Sequence, residues 1–169
     1  MKKILLGFVT LLLLGVGLVV LIFFVLSLPK TRDVSNEPPF SNIVQKDLIT
    51  KKQLLIVNDE SIKQDKDYTY HLEDGSSYGM DSGLEVVATF PVETAVTIDK
   101  VELYTNRVSG TTTPYLFGKI YSKELQAYYT FQYAWGDYHI IYEDTPYWSF
   151  PLAFWQDEPL SETYIIDVP

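Results

Sequence analysis

The chain begins with the feature that most constrains its organisation, an uncharged apolar run of 25 residues from Ile4 to Leu28. As a helix such a run spans ~37 Å at ~1.5 Å per residue, and the hydrocarbon core of a bilayer is ~30 Å thick. Lys2 and Lys3 precede it. The sequence therefore predicts a single-pass membrane anchor over residues 1–28, with membrane contact through residues 4–28.

A cleaved signal peptide, which would leave the domain secreted, is the alternative. Signal peptides have an apolar stretch of roughly 7–15 residues and a small-x-small cleavage site. This run is longer, and its best site, Val25-Leu26-Ser27, fits poorly. For orientation, Lys2 and Lys3 favour a cytoplasmic N-terminus, whereas Lys30 and Arg32 favour the reverse. With so short a tail we expect an N-in anchor and an extracytoplasmic domain.

The chain beyond the anchor is acidic. All 22 Asp and Glu residues and ten of the 13 Lys and Arg residues lie within residues 31–169, which therefore carry a formal charge of −12. This charge argues against nucleic acid as a partner, because phosphate binding needs a basic face. It also disfavours binding of the domain to anionic lipid headgroups. The acidity either keeps an anchored domain soluble or complements a basic protein partner.

The remaining sequence divides into a linker and one domain. Residues 29–40 contain three prolines and no apolar period, which predicts a linker. Residues 41–57 are ambiguous, because the apolar residues in the first part have helical spacing and the apolar run 54–57 resembles a strand. Beyond residue 58 strand signals recur about every 10–12 residues without a long amphipathic helix. We expect an all-β domain over 41–169, a small antiparallel barrel or sandwich, similar in layout to SH3-like or sandwich modules of bacterial envelopes.

One predicted strand changes its phase. Val96 and Ile98 share one face, whereas Val101 and Leu103 have the opposite parity. A β-bulge near Asp99-Lys100 would place all four side chains on the same side of the sheet.

A second strand is rich in aromatic residues, in the stretch AYYTFQYAWGDYHIIY. Its odd positions place Tyr129, Phe131, Tyr133 and Trp135 on one face. Gly136-Asp137 predicts a two-residue hairpin turn, which would pair Trp135 with Tyr138, Tyr133 with Ile140 and Phe131 with Tyr142. The aromatic face is expected to pack in the core, and the rival interpretation is a ligand-stacking surface.

The C-terminal segment TPYWSFPLAFWQDEPL is the candidate binding site. Prolines at 146, 151 and 159 argue against a regular central strand. The segment either covers a core or presents its rings outward, where aromatic residues carry binding hot spots. The candidate binding residues are Tyr147, Trp148, Phe150, Phe154 and Trp155.

Signals for catalysis and metal binding are weak. Residues 75–79 match G-x-S-x-G, but the motif has meaning only at a strand-to-helix turn in a large α/β fold. The chain has no Cys and two His, which disfavours zinc, and His139 is expected at the surface. Glu73, Asp74 and Asp81 flank a Gly/Ser loop but lack calcium-loop spacing. We therefore predict no catalytic residue, metal or cofactor.

The sequence thus predicts a non-enzymatic, membrane-anchored β-domain that binds a protein partner at the cell envelope, in an assembly or immunity-type role. A glycan- or peptide-binding module that uses exposed aromatic rings is the alternative. An envelope hydrolase with two carboxylates is a third class, because carboxylate separation is a three-dimensional property.

Overall fold

The computed structural model describes residues 2–26, 28, 30–59, 64–75 and 83–169. The G-x-S-x-G motif beyond Gly75, and Asp81 of the weak calcium loop, lie outside these residues. Helix α1 covers Lys2–Leu26. In α1 the side chains of Gly7 and residues 11–25 are described. Among the residues described in this way, no helix is long and apolar enough to cross a membrane.

Within the described ranges ten strands follow α1, with a short 3-10 helix at Phe40–Asn42. The strands are β1 (Lys30–Asp33), β2 (Asp47–Ile49), β3 (Leu54–Asn58), β4 (Tyr70–Asp74), β5 (Glu85–Phe90), β6 (Ala95–Thr105), β7 (Thr112–Ser122), β8 (Ala127–Ala134), β9 (Asp137–His139) and β10 (Tyr147–Ser149). The all-β prediction for the region beyond the helix is confirmed.

Eight strands form one sheet in the order β1-β6-β7-β8-β4-β3-β5, with β2 also paired to β6. The sheet does not close into a barrel, so the barrel prediction is wrong for the described strands. Pairing is antiparallel except between β4 and β8, which run parallel. Strands β9 and β10 form a separate two-stranded sheet.

The large sheet bends around a single core. Phe90 on β5 and Tyr129 on β8 are separated by three strand steps, or ~14 Å in a flat sheet. Their ring centroids are 6.0 Å apart, which requires the sheet to curve. The enclosed cluster includes side chains from all of strands β3 to β8, together with Phe40 and the C-terminal aromatics.

The predicted linker over residues 29–40 is wrong. Its first part is β1, which pairs with the end of β6, Lys30 lying opposite Thr105. Val34 and Phe40 are buried at 1% and 0% exposure. Pairing and burial outweigh the proline content, so this segment belongs to the β domain and only residues 27–29 separate α1 from β1.

The predicted aromatic hairpin is also wrong. Strand β8 pairs with β7 along its whole length and, on its other edge, with β4 at Phe131 and Gln132. Strand β9 pairs with β10 instead, and Tyr138 lies opposite Trp148. The predicted core face is confirmed for β8, where Phe131 is fully buried and Tyr129 and Tyr133 pack against the core.

The predicted bulge in β6 is confirmed. The β6–β7 register shifts between Ile98 and Lys100, and Asp99 has no partner in the ladder. Val96, Ile98, Val101 and Leu103 are all at most 2% exposed. The extra residue therefore brings both halves of the strand onto the core.

Candidate functional site

The C-terminal aromatic segment covers the core. Trp148, Phe150 and Phe154 are 0%, 3% and 1% exposed, so their rings are closed to any ligand in solution. The indole N–H of Trp148 donates to the carbonyl of Ile166 at 3.1 Å. The exposed-ring interpretation is wrong for these three residues, because the bent sheet leaves its core open and this segment closes it.

Tyr147 and Trp155 are half-buried. Tyr147 stacks on His139, with ring centroids 4.7 Å apart, and Trp155 lies 4.9 Å from Trp135 and 4.7 Å from Phe154. For these two a binding role stays a prediction.

A different candidate site lies at the end of the sheet farthest from β1. It is a cleft of about 370 Å³ between the turn 91–94, which joins β5 to β6, and the turn 122–126, which joins β7 to β8. The lining residues are Thr89, Pro91, Val92, Glu93, Thr94, Tyr121, Ser122, Lys123 and Glu124. We call it the turn cleft. It places two carboxylates and one ammonium group around a concave surface.

The first turn is held rigidly by Thr50, whose side chain is fully buried. Its hydroxyl donates to the carbonyl of Pro91 at 3.1 Å and accepts the N–H of Thr94 at 3.0 Å. Its carbonyl accepts the N–H of Glu93 at 2.8 Å. Glu93 has φ +66°, a left-handed conformation that is uncommon for a residue with a side chain. The turn therefore fixes the backbone position from which the exposed Glu93 side chain extends.

The second turn is held by its own side chains. Ser122 Oγ accepts the N–H of Leu125 at 3.1 Å, and Gln126 Nε2 donates to the carbonyl of Lys123 at 2.6 Å. Tyr121 donates its hydroxyl to Gln126 Oε1 at 3.0 Å. Gln126 is also left-handed, with φ +51°. Strained backbone that is held by several bonds is characteristic of ligand clamps.

Exposed apolar side chains lie in this cleft or next to it. Val92, Leu125 and Tyr128 are 52%, 51% and 69% exposed. Tyr128 packs against Tyr121, with ring centroids 4.8 Å apart. An adjoining cleft of about 260 Å³, lined in part by Val86 and Leu125, shares Thr89 and Glu124 with the first. Charged, apolar and aromatic groups thus lie together on one surface.

A cluster of charged and aromatic residues on the outer face of the sheet has a structural role. Lys100 Nζ lies 2.8 Å from Asp65 Oδ2, 2.7 Å from Glu102 Oε1 and 4.8 Å from the Phe117 ring centroid. Burial lowers the pKa of Lys100, but the bonds to the two carboxylates outweigh it and raise that pKa above its usual value. The bond to Lys100 also lowers the pKa of Asp65. These contacts hold the segment 64–69 against β6 and β7.

The described residues offer little for catalysis or metal binding. His139 Nε2 lies 2.7 Å from Ser149 Oγ, but neither residue lines the turn cleft. Neither lines a second cleft, of about 550 Å³, that borders Ile140 and Ile141. Within the described part of the chain no group of three His, Asp or Glu residues could hold a metal ion. Glu93 and Glu124 line the same cleft, as a carboxylate pair for hydrolysis would.

Comparison with protein-family models, with curated proteins and with solved structures gave no match for this chain.

Sequence reasoning missed the turn cleft because its two turns are about thirty residues apart in the chain. Glu93 and Glu124 have no motif spacing, and only the sheet order brings their turns together. Strands β6 and β7 are neighbours, so the turn before one and the turn after the other lie side by side.

Proposed function

We propose that this chain is a single-pass, membrane-anchored and non-enzymatic β-domain that binds a protein partner at the cell envelope through the turn cleft. The anchor is argued from the sequence, in which 25 uncharged residues run from Ile4 to Leu28. The observation that carries the binding role is the turn cleft, where two rigidly held turns present carboxylates beside exposed apolar side chains.

The chemistry of the turn cleft supports a basic segment as the bound part of the partner. Glu93 and Glu124 can receive Lys or Arg, and Val92, Leu125 and Tyr128 offer apolar contact beside them. The charge of −12 over residues 31–169 would speed the encounter with a basic protein, in a salt-dependent manner. Turns that are already ordered lose less entropy on binding, which favours affinity.

The position of the turn cleft supports access by a partner outside the membrane. Strand β6 runs for 11 residues between the turn 91–94 and Thr105, a distance of ~36 Å. Thr105 pairs with Lys30, close to the end of α1. The turn cleft therefore lies at the opposite end of β6 from the connection to α1. In an N-in, extracytoplasmic arrangement, a sheet that stands upright on the membrane would hold the turn cleft away from the bilayer. An assembly or immunity-type role would use this exposed end.

The decisive experiment is a crosslinked pull-down from membranes with the full-length chain, at low and high salt. The double variant Glu93→Gln, Glu124→Gln should lose the specific partner at least tenfold with an unchanged melting temperature. Glu158→Gln, at an exposed position in the C-terminal segment, is the matched control and should retain it. Equal recovery by both variants would exclude the turn cleft as the binding site. Protease accessibility in intact cells tests the side of the membrane.

A glycan- or peptide-binding module is the second candidate, favoured by the Tyr121–Tyr128 ring pair beside the cleft. Exposed tyrosines can stack on sugar rings, and the nearby carboxylates can accept hydrogen bonds from sugar hydroxyl groups. Tyr128→Ala should then abolish binding to a glycan array, whereas loss of a protein partner with no glycan signal supports the first proposal. Hydrolysis of any glycan that is abolished by Glu124→Gln would instead assign the hydrolase class.

A further inference from the structure

The end of the sheet nearest to α1 has a different surface from the turn cleft. Two loops project there, residues 106–111 between β6 and β7 and residues 140–146 between β9 and β10, which we call the tip loops. They border a shared cleft of about 550 Å³, lined by Ser109 to Thr113 on one side and by Ile140 and Ile141 on the other.

The tip loops present apolar side chains to solvent without cover. Val108 is 92% exposed, Ile141 is 73% exposed and Tyr142 is 101% exposed, and Ile140 adds a further 55%. Tyr142 is also left-handed, with φ +67°. Neighbouring apolar residues exposed to this degree mark an interaction surface.

Chain connectivity limits how far this surface can lie from the end of α1. Helix α1 ends at Leu26 and β1 begins at Lys30, so at most four residue steps, or ~14 Å, separate them. Lys30 pairs directly with Thr105, the last residue before the first tip loop. This limit holds for any angle between the helix and the sheet.

We infer that the tip loops insert into the interfacial region of the bilayer that α1 enters, an inference that rests on the proposed membrane anchor. The four apolar side chains supply burial in the outer part of the hydrocarbon, and Tyr is a residue type enriched at membrane interfaces. Glu143 and Asp144, which follow Tyr142 directly, balance the charges of Arg107 and Lys30 at the same end of the sheet, so this end carries no net charge that would attract anionic headgroups. The occupant is therefore a zwitterionic lipid surface, held by apolar contact and not by charge.

The two ends of the sheet then have separate tasks. Three points of attachment, which are α1 and the two tip loops, restrict rocking of the domain on its short connection. The turn cleft is held pointing away from the lipid.

The absence of native cysteine allows a direct test with single fluorescent labels. Val108→Cys and Tyr142→Cys, labelled with an environment-sensitive dye, are placed in the full-length chain in phosphatidylcholine vesicles that contain a shallow lipid quencher or, in a parallel sample, a deep one that reaches position 18. Leu125→Cys and Tyr128→Cys at the turn cleft are the matched exposed controls, and Leu18→Cys reports on α1.

We expect at least twofold stronger quenching at positions 108 and 142 than at 125 and 128, with no increase when anionic lipid is added. Quenching at position 18 with none at 108 and 142 would overturn the tip-loop inference and leave the anchor standing. No quenching at position 18 would overturn the anchor and this inference together. Dye burial at 108 and 142 that persists without quenching by lipid would identify a second copy or a protein as the occupant, against our inference.

Discussion

The indole N–H of Trp135 donates to the carbonyl of Pro151 at 2.7 Å. This bond joins the end of the aromatic strand β8 to the proline-rich C-terminal segment. The backbone N–H of Trp135 also donates to the carbonyl of Pro114 at 3.0 Å, at the start of β7. Trp135 therefore attaches the segment that closes the core to the sheet that forms it.

Replacing Trp135 tests this attachment. Trp135→Phe leaves a cavity at a buried position and removes the hydrogen bond to Pro151, so we expect a loss of roughly 2–4 kcal/mol in the free energy of unfolding. Urea denaturation measures it. Tyr128→Phe, at an exposed position, is the control and should change stability by less than about 0.5 kcal/mol. A similar small change for Trp135→Phe would mean that the C-terminal segment packs independently of β8.

Replacing Phe40 tests whether residues 29–40 are a linker or part of the core. Its ring contacts those of Trp135 and Phe150 edge-on, with centroids 6.1 and 5.4 Å away. Phe40→Ala should reduce the free energy of unfolding by roughly 3–5 kcal/mol, because it empties a fully buried site. Val108→Ala, in an exposed loop, should leave stability nearly unchanged. Denaturant midpoints that match for the two variants would restore the linker interpretation.

Gly118 lies at a point of close approach in the middle of β7. A Cβ atom there would collide with the carbonyl oxygen of Thr97 and would lie 2.9 Å from the ring of Phe131. Gly118→Ala is therefore expected to destabilise the domain by at least about 1–3 kcal/mol, since the obstructing carbonyl belongs to a paired strand. Lys119→Ala, at the next and exposed position, is the control. Thermal unfolding of both variants gives the comparison, and equal melting temperatures would contradict the packing described for β7.

The raised pKa values of two tyrosines lead us to expect a loss of stability at alkaline pH. Burial, and then the charges of Asp74 and Glu73, raise the pKa of Tyr133 to about 12. Burial and the neighbouring Asp99 raise the pKa of Tyr68 to about 12 as well. Because both values exceed the unfolded pKa of ~10, their stabilisation is complete below pH 10 and is lost as the pH rises towards 12.

The measurement is the urea midpoint at intervals from pH 9 to 12. Tyr133→Phe cannot ionise and should lose less stability over this range than the unmodified chain. An equal alkaline loss in both would show that ionisation of Tyr133 does not oppose folding.

The alternation of apolar residues in the sequence was sufficient to predict which face of a strand is buried, because this depends on the residues of that strand alone. The change in parity between Ile98 and Val101 located the bulge in β6, because core burial requires alternate residues on one side. The alternation of Phe131 with its neighbours correctly assigned the core face of β8 for the same reason. Both inferences needed no knowledge of the strand's partners.

The sequence pattern did not predict the structure correctly where two strands could pair with the same segment or where distant strands pair. Gly136-Asp137 is a favourable turn sequence, yet long-range pairing of β8 with β7 and β4 outweighs a local hairpin. Prolines in residues 29–40 suggested a linker, and pairing of β1 with β6 overrides that tendency. The turn cleft depends entirely on the order of the strands in the sheet. The sequence around Glu93 or around Glu124 does not show which other turn lies beside it. Trp148 resembles an exposed hot spot in sequence and is a core residue in the fold.

The β1–β6 pairing also sets an order of events during synthesis. Strand β1 leaves the ribosome roughly seventy residues before the part of β6 that it binds. Until then its backbone groups and the side chain of Val34 have no native partner, and they stay beside the point where the chain leaves α1. Pairing of β1 must therefore wait for residue 105, although β3, β4 and β5 are complete before then. A pause in translation before that point would leave β1 unpaired and open to chaperones, proteases or another copy of itself.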